Sequence, residues 1–524
     1  MQFDRSFFED EIRSGFYVTA EMKQAWASQL EVWEDFDRAC RKNGIKYFAD
    51  WGTLLGAVRH GGFIPWDDDM DVCMKREDYN RFNRMAKDIM PCGYDIYNIY
   101  SDENNDNMLT RIINGRNISF SKEHLEKYHG CPYIAGLDIF PLDYIAMKQE
   151  DADFQEEVIS IVIRVSIFIK KHKDKLKEEG NLEIKKELES YVKQIEQLCA
   201  VTFDKNKDIQ QQIRMLIDRL CSLYKERESK EIAPLLLWMD NKELKFPKEM
   251  YTEPVMLKFE NIYVPAPCEY DYVLKKEYGD YHKVVLESDD AHEYPYYYKY
   301  KKFLADNGIE ICTFKMNMTE YDKFMNNIYE ERKKRRLTKK DNKKKILFMP
   351  FKAQNWKNME SLWRKYIEDA NNDVIVMPIS YYYKNIDGTV EQYIENEKYP
   401  EYIHVISEDD YDITTCYQDE IVIQNPYDEY NVATTVHPKY YAKTLIQNTD
   451  KLTYVPWFVT DEIQQDDMRS DKSMDAYVNV PGVVYADEVI VQSDNIRNLY
   501  IRKLAGIYGD ETTSIWQNKI IAEI

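Results

Sequence analysis

The chain has 524 residues, and at roughly 150 residues per domain this length predicts about three to four domain-sized units. It carries 71 Lys and Arg against 93 Asp and Glu, a net charge of −22, which argues against general binding to DNA or RNA. Hydrophobic residues make up 44% of the chain, and the 17 Gly and 17 Pro exclude a linker-dominated or disordered protein.

The sequence contains no segment typical of export or membrane insertion. No basic stretch followed by an apolar run stands at the N-terminus, so we expect a cytoplasmic protein. The longest apolar run, from Val158 to Ile169, is short of the roughly 20 residues that span a bilayer. The nine cysteines form no C-x-x-C pair and are expected to be reduced. A zinc site built from His124, His129 and Cys131 is the weaker alternative to ordinary core and surface roles for these residues.

The first predicted elements are a long helix, a strand and a short helix. Apolar residues at helical spacing predict a helix from about Thr19 to Lys42, which Asn43-Gly44 ends. A strand over 45–51 then leads into Gly52-Thr53 and a short helix over 54–59. A strand, a Gly-Thr turn and a helix start together suit phosphate binding, because free backbone N–H groups and the helix dipole face the turn.

Four aspartates within five positions, Asp67, Asp68, Asp69 and Asp71, lead into an apolar stretch. If residues 69–72 form a strand, Asp69 and Asp71 share one face about 6.6 Å apart along the chain. Asp138 stands between apolar residues on a second predicted strand and supplies a third carboxylate. Such a set suits one or two Mg²⁺ (or Mn²⁺) ions in phosphoryl transfer, with Asp67 and Asp68 as second-choice ligands. The alternative is a set of solvated acidic turns.

Two charged segments follow. A helical subdomain is predicted over about 150–245, in which the run 158–169 is either a buried helix or, with the lysines after it, a membrane-surface helix. Between residues 332 and 345, ten of fourteen residues are Lys or Arg, and we expect residues 301–344 to form a helical and basic linker. This linker is either a solvated connection or an anchor to anionic lipid or polyphosphate polymer.

Beyond residue 345, short apolar runs alternate with amphipathic helices. The pattern predicts a parallel sheet covered on both faces, a Rossmann-like α/β domain over 345–524, without a G-x-G-x-x-G fingerprint. The fold class is therefore mixed α/β.

The motifs 52–60, 64–71 and 137–143, together with Pro267, Tyr270 and 278–281, resemble the LicD family, which includes fukutin-related proteins. The resemblance runs over about residues 20–285. It implies a nucleotidyltransferase-like α+β core over 1–300 that includes the helical insertion. In that fold the Gly52-Thr53 turn replaces Gly-Ser, Asp69 and Asp71 are the paired carboxylates, and Asp138 is the third.

The LicD resemblance also implies an activity. Family members transfer a phospho-alcohol, such as phosphocholine or ribitol phosphate, from a CDP-linked donor to a glycan. Gly52 and Thr53 would then bind the donor phosphate, and Arg59 and His60 would neutralise its charge. The cysteine zinc loop of the eukaryotic relatives has no counterpart here, so the chain resembles the bacterial branch.

Residues 345–524 resemble the N-terminal half of CDP-glycerol glycerophosphotransferases, enzymes of teichoic-acid assembly. The resemblance rests on the segments 350–353, 424–428, 436–438 and 486–493. About 180 residues hold one half of such an enzyme, so we do not expect this region to catalyse transfer alone. For His437 we favour a structural role over catalysis.

The sequence thus predicts an enzyme that transfers a phospho-alcohol from a CDP-alcohol to a cell-surface glycan or its lipid-linked precursor, of teichoic-acid or lipopolysaccharide type. Expected partners are that donor, the glycan acceptor and, through the basic segments, the inner face of the cell membrane. The alternatives are a nucleotidyltransferase that attaches NMP and a non-catalytic scaffold of a polymer-assembly complex. The sequence does not choose between choline, ribitol and glycerol.

Overall fold

The computed structural model describes residues 1–177, 181–285, 301–307, 313–338, 343–464 and 466–523. Its helices are α1 (Ala20–Asn43), α2 (Trp51–Arg59), α3 (Arg76–Ile89), α4 (Lys122–Lys127), α5 (Gln149–Lys171), α6 (Lys173–Lys177), α7 (Leu182–Leu198), α8 (Ile209–Cys221), α9 (Leu235–Asp240), α10 (Tyr270–Tyr278), α11 (Lys301–Asp306), α12 (Met318–Thr338), α13 (Lys357–Ile367), α14 (Ala442–Leu445), α15 (Met468–Ser473), α16 (Asp475–Val478), α17 (Pro481–Tyr485), α18 (Asp494–Tyr508) and α19 (Thr513–Lys519).

The strands are β1 (Glu11–Arg13), β2 (Phe16–Val18), β3 (Phe48–Ala49), β4 (Asp71–Lys75), β5 (Asp95–Tyr97), β6 (Thr110–Ile113), β7 (Gly136–Ile145), β8 (Glu231–Ala233), β9 (Phe246–Pro247), β10 (Val255–Phe259), β11 (Ile262–Ala266), β12 (Lys344–Met349), β13 (Asn372–Val376), β14 (Tyr381–Lys384), β15 (Val390–Tyr393), β16 (Glu420–Ile423), β17 (Thr434–Val436), β18 (Leu452–Tyr454), β19 (Glu488–Val491) and β20 (Ile520–Ala522). This mixture of helices and sheets confirms the predicted α/β class.

The chain divides into two compact units. The first comprises Met1 and Ala25–Val285, and the second comprises Gln2–Gln24 together with the described residues after Val285. The domain boundary predicted at residue 300 lies outside the described residues. Residues 2–24, predicted as part of the first domain, are counted with the second unit.

The first unit is built on a seven-stranded sheet in its described residues, with the order β3-β4-β7-β6-β5 and with β8 and β9 continuing from β7. Strands β4 and β7 run parallel, whereas β3 pairs with β4 and β6 with β7 in antiparallel fashion. The long strand β7 is mostly buried, so it places polar side chains such as Asp138 inside the unit.

Helices α5, α7 and α8 form the predicted helical insertion of the first unit. The apolar side of α5, including Val158, Val162 and Ile169, packs with Ile213 and Ile217 of α8 in one core. The run 158–169 therefore lies in a buried helix, which is the first of the two interpretations of this segment. Across the described part of the chain, no helix combines the length and the apolar character needed to cross a bilayer.

The described part of the second unit contains a six-stranded parallel sheet in the order β13-β12-β16-β18-β19-β20. Each predicted apolar run of this region lies on one of these strands, and β20 is an addition to them. A smaller antiparallel sheet, β15-β14-β17, adjoins the same sequence region.

The predicted basic linker contains helix α12, whose apolar side belongs to the core of the second unit. Tyr321, Met325 and Ile328 are buried there at helical spacing. Arg332, the first residue of the basic run, is 5% exposed and donates two hydrogen bonds to the Asp487 carboxylate. Part of this basic run is therefore structural. Residues 339–342 of the run lie outside the described residues.

Candidate active site

The carboxylates of Asp71 and Asp138 lie on neighbouring strands of the first unit. Asp71 begins β4, and in the parallel pairing of β4 with β7 it stands opposite Asp138. The Asp138 N–H donates to the Met70 carbonyl at 3.0 Å, which fixes this register. Both side chains are nearly buried, with 9% and 7% of the residue exposed. The sheet thus brings together two aspartates that are 67 residues apart in the sequence.

Asp67, Asp68 and Asp69 lie in the irregular segment before β4, so the prediction of a strand beginning at Asp69 is wrong. The physical reason is that side chains of α1 hold this segment: the Trp26 indole N–H donates to the Asp67 carbonyl at 3.0 Å, and Gln29 donates to the Asp68 carbonyl. These two carbonyl groups therefore accept hydrogen bonds from α1 and not from a neighbouring strand.

The segment before β4 places three carboxylates close together. One carboxylate oxygen each of Asp67, Asp68 and Asp69 lies within 4.8 Å of the others. In the residues that the structure describes, no other set of three His, Cys, Asp or Glu side chains meets this criterion. Asp67 and Asp68 were the second-choice ligands of the sequence prediction. Their positions suit a metal ion as well as the position of Asp69 does.

The acidic residues of this site repel one another. Burial raises the pKa of Asp71 well above its usual range, and repulsion by Asp69, Asp138, Asp67 and Asp50 raises it further. Burial also raises the pKa of Asp138, and the nearby Asp69 adds to the effect. A nearby cation stabilises such buried carboxylates in their charged form, and pairing with Arg111 acts in this sense on Asp138.

Arg111 is a residue of the site that the sequence analysis missed. It lies on β6 directly opposite Asp138, and its guanidinium binds both oxygens of that carboxylate. Its side chain remains 35% exposed. In the sequence, Arg111 is visible as a single basic residue within the apolar strand 110–113. Its partner depends on the register of β6 against β7, which the sequence does not show.

Gly52 and Thr53 lie in the first turn of α2, and both contact the acidic segment. A Cβ atom on Gly52 would lie 2.5 Å from the Asp67 carboxylate, so the glycine leaves room for this carboxylate beside the helix start. The Thr53 hydroxyl is buried and accepts a hydrogen bond of 2.8 Å from the Asp71 N–H. The Gly-Thr turn therefore holds the start of β4 against the start of α2, and the Thr53 side chain serves this contact.

Asp50 and Glu277 form a second pair of buried acidic residues near the site. Asp50 precedes α2 and donates its N–H to the Asp71 carbonyl at 3.1 Å. Burial raises the pKa of its carboxyl to about 7, although the Cys73 thiol is hydrogen-bonded to it. Glu277 of α10 is close enough to Asp50 for the two to repel each other, and burial is the main cause that raises the Glu277 pKa well above its usual range. Both residues were missed in the sequence analysis.

Arg59 and His60 lie at the other end of α2 from Gly52 and Thr53. The Arg59 guanidinium donates to His60 Nε2 at 2.9 Å and to the Tyr281 carbonyl at 3.2 Å. Tyr278 is close enough to interact electrostatically with Arg59, and it also interacts with Asp67 and Asp71. The segment 278–281, noted in the sequence, thus links the basic end of α2 to the acidic cluster.

The remaining sequence candidates have structural roles. Cys131 is buried, and His129 Nε2 contacts the Glu31 carboxylate at 2.7 Å. His437 precedes a 3₁₀ helix of the second unit, and its Nδ1 accepts a hydrogen bond from the Lys439 N–H. That capping contact agrees with the structural role favoured for His437.

Comparison with known proteins assigns the segment that carries this site. Residues 44–112 match the family model described as LicD/FKTN/FKRP, nucleotidyltransferase domain. The lipopolysaccharide cholinephosphotransferase LicD of Haemophilus influenzae is 51% identical over 53 residues, which are 10% of this chain and 20% of that protein. The ribitol 5-phosphate transferase FKRP of Homo sapiens is 51% identical over 35 residues, 7% of each chain.

These matches span a fifth or less of the two named relatives. The residues of the family model include Gly52, Thr53, Arg59, His60 and the aspartates at 67–71, whereas Asp138 lies outside them. The segment 44–112 is therefore similar to the nucleotidyltransferase domain of the LicD/fukutin-related family.

Proposed function

We propose that the first unit transfers a phospho-alcohol (phosphocholine, ribitol phosphate or glycerol phosphate) from a CDP-linked donor to a hydroxyl of a glycan. Two relatives support the class of reaction, since their names describe cholinephosphate and ribitol 5-phosphate transfer. The proposed acceptor is a cell-surface glycan or a precursor of teichoic-acid or lipopolysaccharide type. Such a precursor would be met at the inner face of the cell membrane.

One observation carries this proposal: the acidic segment 67–69 adjoins two buried aspartates on neighbouring strands. Oxygens of Asp67, Asp68 and Asp69 converge, and Asp71 and Asp138 are buried beside them on adjacent strands. Oxygen ligands of this type suit Mg²⁺ or Mn²⁺. We assign Asp69 and Asp71 as the principal metal ligands, with Asp67 or Asp68 completing the set.

When bound there, a divalent cation would neutralise the phosphate charge and stabilise the attacking and leaving oxygens during transfer. The residues of the chain supply the rest. Thr53 holds Asp71 in place, and Gly52 leaves room for the Asp67 carboxylate at the start of α2, which is the proposed position of the donor phosphate. Asp138 is the proposed acceptor of the proton from the attacking hydroxyl, and its pairing with Arg111 orients the carboxylate.

Arg111 has a second part in this proposal. Its side chain is one-third exposed beside the acidic cluster, so it can donate to a phosphate oxygen as well as to Asp138. Arg59 and His60 lie two turns along α2 from Gly52, and there they would bind the more distant part of the donor.

The two alternatives make different predictions for the products. A nucleotidyltransferase would release pyrophosphate from CTP, and a scaffold would release nothing. We therefore propose to incubate the full chain with a panel of glycan acceptors and Mg²⁺ or Mn²⁺, together with CDP-choline, CDP-ribitol, CDP-glycerol or CTP, and to measure CMP and pyrophosphate by chromatography. CMP release from one CDP-alcohol supports the proposal, whereas pyrophosphate release from CTP alone, or no turnover with any donor, contradicts it.

The site assignment is tested in the same assay. Asp69→Asn and Asp71→Asn should each lower CMP release by about 100-fold or more, the size expected when a charge-stabilising group of an active site is lost. Asp88→Asn is the matched control, because it removes the same charge from an exposed position on α3. Undiminished turnover by Asp69→Asn would overturn the assignment.

A further inference from the structure

The parallel sheet of the second unit has a switch point between β12 and β16. The chain passes from β12 to β13 on one side of β12 and then continues with β16, β18, β19 and β20 on the other side. In open α/β sheets, the loops that leave such a point in opposite directions open a crevice at the carboxyl ends of the strands, where ligands bind. Here β12 ends at Met349, and the chain continues through Lys352 to Gln354.

A pocket of about 790 Å³ lies beside the loop that follows β12. Lys352 and Gln354 form one wall, the β14–β15 hairpin a second, and residues 2–9 of the N-terminal segment a third. Its volume falls within the range of roughly 300–1,000 Å³ typical of small-molecule sites. The N-terminal residues thus help to build a pocket whose other walls begin 340 residues later in the chain.

Three acidic and three basic side chains line this pocket, namely Asp4, Glu9, Glu395, Arg5, Lys352 and Lys398. Lys352 pairs with Glu9 at 2.7 Å, and Lys398 pairs with Glu395 at 2.9 Å. Lys352 is 8% exposed, so its charge is neutralised inside the unit rather than offered to solvent. The lining therefore has no excess of positive charge, which the phosphates of a nucleotide would require.

The other lining groups are aromatic rings and hydrogen-bonding side chains. Tyr381 and Tyr393 are stacked, with ring centroids 5.9 Å apart, and Tyr383 stands perpendicular to Tyr393 at 4.9 Å. The Tyr381 hydroxyl donates to Glu395 at 3.1 Å, so the carboxylate is held in place facing the rings. Rings with polar tips beside fixed carboxylates suit a ligand that has apolar C–H faces and many hydroxyl groups.

We infer that this pocket is a binding site for a neutral oligosaccharide. The sugar rings would lie against Tyr393, and hydroxyl groups would hydrogen-bond to Glu395 and Gln354. This site is separate from the acidic cluster, and it does not depend on the transfer reaction proposed for the first unit, because it needs neither the donor nor a metal.

The test is direct binding by the full chain, without donor and in EDTA. A glycan array that carries neutral, sulfated and phosphorylated oligosaccharides identifies the ligand class, and fluorescence titration with the strongest neutral oligosaccharide of the array gives the Kd. We expect saturable binding of a neutral oligosaccharide. Binding of phosphorylated or sulfated glycans alone, or of no glycan on the array, would refute the inference.

Three variants locate the binding. Glu395→Gln and Gln354→Ala should each raise the Kd at least five-fold, and the exposed position of Gln354 makes its variant safe for folding. Glu360→Gln is the matched control: Glu360 also accepts a hydrogen bond from a tyrosine hydroxyl, that of Tyr402, and pairs with a basic side chain, but it lies on α13 outside the pocket. An unchanged Kd in both pocket variants, or an equal loss in Glu360→Gln, would contradict the assignment.

Discussion

The two units differ in how their buried charges are compensated. In the second unit, the buried Arg332 guanidinium is fully used: it binds both oxygens of Asp487 and the carbonyls of Ile446 and Thr449. In the first unit, Asp71 is as deeply buried, but its nearest charges are other carboxylates. Proteins retain such uncompensated charge at sites of chemistry, because a ligand supplies the missing partner. The comparison therefore separates the structural ion pairs from the candidate active site.

The first unit also contains a buried cluster with its own cation, which serves as an internal reference. Arg76 binds both oxygens of Asp143 at 2.6 and 2.8 Å and one oxygen of Asp218 at 2.8 Å, and its side chain is 2% exposed. Asp143 lies on β7, the strand that also carries Asp138. One strand therefore carries a neutralised carboxylate and, five residues away, a carboxylate of the candidate site.

The largest expected effect on stability is that of removing the Arg76 guanidinium from this cluster. Arg76→Met leaves two buried carboxylates without their cation, which should cost about 3–5 kcal/mol of the free energy of unfolding. Hydrogen exchange at the amides of β7 and α8 measures this locally, and we expect protection there to fall. Unchanged exchange would show that the pairing is not a structural requirement.

The next effect is a dependence on pH, measured in EDTA. Asp50 ionises near 3.8 in the unfolded chain but near 7 in the folded unit. Between these values the folded state holds the additional proton, so the stability that Asp50 contributes falls as the pH rises, by about 1.4 kcal/mol per pH unit, and levels off above pH 7. Hydrogen exchange at β4 from pH 5 to 8 should show this slope in the native chain, corrected for intrinsic exchange, and a smaller slope in Asp50→Asn. Equal slopes would contradict it.

A smaller stabilisation is expected when a repelled carboxylate of the site is removed. In EDTA at pH 8, Asp71→Asn should raise the free energy of unfolding of the first unit by about 1 kcal/mol, because it removes repulsion from Asp69 and Asp138. The same variant loses activity, so stability and turnover move in opposite directions. A destabilised Asp71→Asn unit would indicate that the Asp71 carboxylate has a structural partner.

The smallest expected effect on stability is that of breaking an exposed salt bridge. Lys275 and Asp271 form an exposed pair at 2.6 Å along α10. Solvent screens such pairs, so Lys275→Ala should leave the unfolding midpoint of the first unit within experimental error. A clear loss of stability would mean that surface charge matters more in this acidic chain than the buried clusters suggest.

Local patterns predicted much of this fold. Helix α1 lies within one residue of its predicted bounds at each end, because Trp26, Leu30 and Trp33 repeat at helical spacing and Gly44 follows the helix. The parallel strands of the second unit were visible as short apolar runs, since both faces of such a sheet are covered. The acidic motif was equally clear, because aspartates seldom stand so densely before a buried strand.

Contacts that depend on register or on distant segments were not predictable. The pairing of Arg111 with Asp138 follows from which residues of β6 and β7 stand opposite each other, and the side-chain pattern leaves that open. The N-terminal segment joins the second unit through contacts such as that of the Tyr17 hydroxyl with Tyr427, 410 residues later. Asp69 lies outside β4 because α1 side chains bind the backbone of the segment before that strand, which no local periodicity reports.

The central proposal is that the aspartates of the candidate active site hold a divalent cation. Titration of the protein with Mn²⁺, followed by the electron paramagnetic resonance signal of the free ion, tests this directly and without any substrate. The account predicts saturable Mn²⁺ binding that is lost in Asp69→Asn and Asp71→Asn and kept in the surface control Asp88→Asn. Mn²⁺ binding of equal strength in all four proteins would contradict it.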